Sequence, residues 1–187
     1  MTASQKAQAK AVLISIRPRW CKKIMDGEKT IELRKTKPRI PTPFKCYIYC
    51  TSGRPDLNIQ ISQEQLMQDY LNTGSMKCLN CPLGNGKVIG EFICNNIYKV
   101  HLAYAIDAAI SEEACVSPRE IHEYLKGKTG YGWSISDLKI YYKPLELSYF
   151  RKSMECPRGK QREDCARCWD CEITRPPQSW CYVEENE

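Results

Sequence analysis

The hydrophobic and polar positions predict about six short strands with a few helices between them. Ala11-Val12-Leu13-Ile14-Ser15-Ile16 is a short run of mostly branched apolar residues and reads as a buried first strand. Residues 17–27 follow as a helix, with Pro18 in its first turn and Gly27 just past its end. Trp20 and Ile24 lie four apart on its apolar face, where core is the expected place for Trp20. Then the period changes to two. Thr30, Glu32 and Arg34 fall on one side, Ile31 and Leu33 on the other, and Lys29 stands at the strand mouth. Pro38, Pro41 and Pro43 make the next stretch an extended loop, and Phe44 to Cys50 reads as a strand.

Farther on, Ser62 with Gln65 is a capping box that opens a helix to Leu71. Lys87 to Cys94 is a strand continuing to Val100, in which Gly90 marks a bulge or a close backbone approach. Ser117 with Glu120 opens a further helix that ends near Gly127. Tyr131 to Tyr142 is strand material stopped by Pro144, and residues 176–183 close the chain as a short aromatic strand. The pattern is α+β: a small twisted β-barrel with helices between strands. Residues 1–10 read as a frayed terminus and 11–150 as the folded domain. Residues 151–187 read as a cysteine-rich extension whose last strand packs back on the barrel.

Charge changes this picture at one end. Residues 1–50 hold 12 Lys/Arg against 3 Asp/Glu, whereas the remainder holds 16 against 19. The positive field gathers around the alternating strand, which favours anionic partners, nucleic acid first. The early apolar run is too short for a signal peptide or a membrane span, so the expected location is the cytoplasm, with no membrane partner. Twelve cysteines in such a chain are free thiols or metal ligands rather than disulfides.

Cys165-x2-Cys168-x2-Cys171, with Cys156 upstream, supplies four thiolates for a structural Zn²⁺ at about 2.3 Å each. Cys181, or Cys78 with Cys81, are rival ligands, and a tail of unliganded thiols is the other reading. Iron–sulfur ligation is disfavoured because no Cys-Pro follows the run.

The stretches "VLISIRPRWCKKIMDGEKTIELRKT", "GKVIGEFIC" and "YGWSISDLKIYYKPLEL" resemble, in order, the ASCH domains of the PUA-like superfamily. The most specific element is G-x-K-x-x-E-x-R, matched by Gly27, Lys29, Glu32 and Arg34. The resemblance implies a twisted barrel with a cleft beside the motif strand, in which relatives bind RNA or single modified bases. In that setting Lys29 and Arg34 suit phosphate or carbonyl oxygens, and Glu32 suits an exocyclic amine. Trp133 is a stacking surface or barrel core, and Ser134 lies beside it. The short bacterial and phage-associated members would carry His where Ser134 stands, so chemistry that needs an imidazole is in doubt.

One small bacterial ASCH protein hydrolyses the amide of N4-acetylcytidine with a Lys, a Thr and a Glu. Its lysine corresponds to Lys29, but its nucleophile position is occupied by Glu32. Thr30 would have to serve instead, and Glu91 is a candidate for the position of that protein's Glu. The expectation is therefore a binding module for RNA or a modified nucleotide. Hydrolysis of a modified nucleoside through Lys29, Thr30 and Glu32 is one alternative, and a regulatory protein-interaction module is another.

Overall fold

The computed structural model describes residues 10–60, 62–73, 82–101, 108–153 and 171–186. Its elements run β1 (Lys10–Ile16), α1 (Pro18–Met25), β2 (Ile31–Arg34), β3 (Phe44–Cys50), α2 (Gln63–Thr73) and β4 (Val88–Cys94). They continue β5 (Ile97–Val100), α3 (Ala108–Glu113), α4 (Pro118–Leu125), β6 (Gly130–Ser134), β7 (Ser136–Leu145) and β8 (Trp180–Glu184). The class is α+β, with helices between strands and twisted sheets that do not close on themselves.

One sheet has the order β7-β4-β3-β1-β8 and the other β2-β6-β5. β1 lies inside the larger sheet, parallel to β3 and antiparallel to β8. Both its faces are covered. Val12, Ile14 and Ile16 pack with Ile48, Phe92 and Trp133, whereas Ala11 and Leu13 pack with Tyr47, Phe150 and Val183. A strand buried on two faces reads as a continuous apolar run rather than an alternating one. Ile31 and Leu33 of β2 pack with Ile121 and Leu125, which sets α4 over the smaller sheet.

Two long strands expected from the sequence are each divided. The stretch from Val88 to Val100 breaks at Asn95-Asn96, with β4 in the larger sheet and β5 in the smaller. The stretch from Gly130 to Leu145 breaks at Ile135 and crosses back the other way. The Ser134 hydroxyl accepts hydrogen bonds from the Asn95 and Asn96 amides at 3.1 and 2.9 Å, which pins the two crossings together. Pro144 does not stop β7, which runs to Leu145. As the sheet's edge strand, β7 carries a proline without losing a ladder bond. α3 gave no signal in the sequence pattern.

Gly90 is a close backbone approach. A Cβ there would sit 2.4 Å from the Lys139 carbonyl oxygen on β7. Gly90→Ala is expected to lower stability by roughly 1–3 kcal/mol in urea unfolding. Gly53→Ala, where a Cβ meets nothing within 4 Å, should leave the midpoint nearly unchanged.

Candidate functional site

β2 is short, and all four of its residues are buried. What matters is how the chain enters it. Gly27 adopts φ +75°, and the Glu28 and Lys29 amides fold back to donate to the Lys23 carbonyl at 3.0 and 3.1 Å. Strand geometry therefore begins only at Ile31. The period-two expectation fails at Lys29 and Thr30 for this reason. The Lys29 side chain is buried beside Glu32, and Thr30 is exposed.

Lys29, Glu32 and Arg34 converge. The Lys29 ammonium lies 3.3 Å from one Glu32 carboxylate oxygen, and an Arg34 terminal nitrogen lies 3.0 Å from the other. Lys29 also donates to the Ala114 carbonyl at 2.7 Å, and Arg34 to the Ser15 carbonyl at 2.6 Å. The three residues are 2, 6 and 7% exposed, so this is not a solvated surface pair. Desolvating such charges costs several kcal/mol per ion unless partners satisfy them. Here one carboxylate serves two cations and a backbone carbonyl takes one further donor from each, leaving an excess positive charge. Arg34 Nε is buried without a partner among the described residues.

The cluster is not sealed. All three side chains line a cleft of about 700 Å³. Ser15, Ile16, Arg17, Arg19 and Trp20 form one wall, and Glu120, Ile121, Glu123 and Tyr124 of α4 form a second. Pro176, Pro177 and Gln178 form a third. Ser15 fixes that third wall: its hydroxyl donates to the Pro177 carbonyl at 2.6 Å and its amide to the Ser179 carbonyl at 2.9 Å.

Trp20 is half-buried. Its ring carries the Arg19 guanidinium at 4.3 Å and the Lys29 ammonium at 5.2 Å. Partial burial pushes the Tyr124 phenol up, so it remains a neutral donor. Glu120 is held below the usual carboxylate range by its capping hydrogen bonds from Ser117, with Arg19 adding to the effect.

Several expected site residues lie elsewhere. Trp133 is completely buried, with its ring 5.9 Å from both Phe44 and Trp180, and it does not line the cleft. Its large apolar surface is spent in the core, and the cleft aromatics are Trp20 and Tyr124 instead. Ser134 is the pin between strand crossings described above. Thr30 lies outside the cleft lining. Glu91 accepts a hydrogen bond from the Tyr141 hydroxyl and also lies outside the lining.

Of the expected zinc ligands, Cys156, Cys165 and Cys168 lie outside the described residues, as do the rivals Cys78 and Cys81. Cys171 is buried, and its carbonyl accepts the Lys152 amide at 2.8 Å. Among the described residues, no group of three His, Cys, Asp or Glu converges to hold a metal. No helix there is long and apolar enough to cross a membrane.

Sequence reading missed the wall at Pro176–Gln178 and the place of Tyr124. The available signals were Pro176-Pro177 just before the closing strand, and Glu120 with Tyr124 at i,i+4 spacing beside the apolar pair Ile121 and Leu125.

A solved structure of ASCH from Zymomonas mobilis superposes with a TM-score of 0.56 at 18% identity, covering 94% of this chain and 88% of that one. The chain has the ASCH fold. A Tyr-to-Phe mutant of the Zymomonas protein superposes with a TM-score of 0.54, covering 95% of this chain and 92% of that one, again at 18% identity. No protein-family model matches the chain, and no curated protein does.

In this ASCH fold Glu32 is what makes two buried cations tolerable. Replacing it by glutamine leaves both without a counter-charge. Glu32→Gln is expected to cost about 3 kcal/mol or more in urea unfolding. A loss well under about 1 kcal/mol would mean the pair is solvated like a surface bridge.

Proposed function

We propose that the cleft recognises a nucleobase, in RNA or in a modified nucleotide, by non-covalent binding. The observation that carries this reading is the buried Lys29–Glu32–Arg34 cluster lying open to an aromatic-walled cavity. A volume of about 700 Å³ falls within the usual range for small-ligand pockets. Glu32 offers carboxylate acceptors to amino groups of a base edge, and Arg34 and Lys29 set a positive potential for carbonyl or phosphate oxygens. Trp20 and Tyr124 present rings for stacking, and Arg17 and Arg19 stand exposed at the rim. The solved structures of the same fold are ASCH proteins, and nucleic-acid binding is what the family resemblance implies.

Hydrolysis is disfavoured by two features. Thr30, the nucleophile that reading requires, is exposed and outside the cleft lining. The Lys29 ammonium, the lysine that would have to act as base for Thr30, is already engaged by a carbonyl at 2.7 Å and a carboxylate at 3.3 Å. A base must be free to reach the proton it takes.

The test is a titration of purified protein with the four common ribonucleosides and N4-acetylcytidine, read by tryptophan fluorescence and calorimetry. At least one should bind. Trp20→Ala should weaken that binding by roughly 10- to 100-fold, the loss of one stacked base. Trp133→Phe should leave it unchanged at equal folded fraction. Binding indifferent to Trp20→Ala would contradict the reading, as would turnover of N4-acetylcytidine abolished by Thr30→Ala.

A further inference from the structure

A second concavity begins where β2 ends. Lys35, Thr36, Lys37, Pro38, Arg39, Ile40, Pro41 and Tyr131 line a groove of about 590 Å³. Three of these are cations, and no carboxylate is among them. Lys35, Lys37 and Arg39 are exposed, and none makes an ion pair among the described residues. Six other cations, Lys22, Lys23, Lys45, Arg54, Lys87 and Arg119, each meet a carboxylate, whereas Lys99 and Lys128 also stand without an ion pair among the described residues but line neither concavity. Three uncompensated charges within five residues repel one another, and a polyanion relieves that repulsion.

The groove is held in shape. The Trp180 indole donates to the Thr36 hydroxyl at 3.0 Å, and the Arg39 amide donates to the Tyr182 hydroxyl at 2.7 Å, so β8 anchors the loop at two points. Lys37 lies 5.8 Å from the Tyr131 ring centre, and Tyr131 is the strand partner of Arg34. Lys35 lies 4.9 Å from the Tyr124 ring centre, and Tyr124 lines the first cleft. The two concavities are therefore neighbours, joined through Arg34–Lys35 along the chain and through Tyr124 and Tyr131 across it.

We infer that this groove holds the sugar-phosphate backbone of a single-stranded nucleic acid whose base enters the first cleft. The inference rests on the base-recognition reading and narrows it: the ligand is a strand, not a free nucleoside. Lysine and arginine placed beside aromatic faces are the usual means of tracking a single strand without reading its sequence. Unpaired cations release counterions on meeting phosphates, which gives the groove a salt-dependent signature.

The experiment compares a free nucleoside with single-stranded RNA and DNA oligonucleotides of about ten nucleotides carrying the same base, at several salt concentrations. The proteins are the wild type, Lys37→Ala/Arg39→Ala, and a control in which two exposed lysines outside both concavities are replaced, Lys99→Ala/Lys128→Ala. The groove variant keeps the Arg39 backbone amide and so keeps that loop anchor. Wild-type protein should bind an oligonucleotide more tightly than the nucleoside, with a clear salt slope. The groove variant should bind it roughly tenfold more weakly, with the slope reduced by about 1.4, while nucleoside affinity holds. Whichever of RNA and DNA binds more tightly names the source of the strand.

Equal loss in groove variant and control would overturn the inference, as would a nucleoside that binds as tightly as the oligonucleotide. Either result leaves base recognition standing. No binding of any nucleoside or oligonucleotide would overturn both.

Discussion

Two cations and one carboxylate, nearly out of reach of water, set the terms for the rest of this molecule. Burying Lys29, Glu32 and Arg34 is costly, and each partner makes the others possible. The cluster ties together pieces distant in sequence. Arg34 bonds the Ser15 carbonyl at the end of β1, and Lys29 bonds the Ala114 carbonyl just after α3. Both sheets and the helical segment beside them thus meet at one charged point. A cluster of this kind is weak evidence for stability, since apolar residues of similar volume often do as well. That it lies open to a cleft is what turns attention to function.

The closing strand does more than complete the larger sheet. By pairing with β1 it brings Pro176–Gln178 against Ser15 as a wall of the cleft. Through Trp180 and Tyr182 it also holds the loop after β2. Residues at opposite ends of the chain therefore shape both concavities. A lesion in β8 would disturb both concavities without touching any charged residue of the motif.

Much of the fold was legible in the residues. β1 announced itself as an apolar run because both its faces are covered, and α4 by a capping box that the structure contains. The charged motif could be located because Gly27 marks a turn. Its geometry could not, because the strand alternation that would place Thr30 with Glu32 starts one residue later than the pattern suggests. Trp20 packs against the core yet also lines the cleft, and Trp133 takes the core place rather than the stacking one, for a related reason. Periodicity ranks positions on one element, whereas exposure depends on what other elements cover. Nothing local in α4 or in residues 176–178 says that they lie over β2. Those contacts are tertiary, and a single sequence carries little trace of them.

Arg34 Nε is buried and lacks a partner among the described residues, so its proton is a reporter at the heart of the cluster. The most direct test is an NMR titration with a single-stranded oligonucleotide, following the Arg34 Nε–H and the indole N–H signals of Trp20 and Trp133. The account expects saturable shifts at Arg34 and Trp20 with the same affinity, and little change at Trp133, whose indole lies in the core. Saturable binding that moves neither Arg34 nor Trp20 would contradict it, because the ligand would then occupy some surface other than the cleft beside the charged cluster.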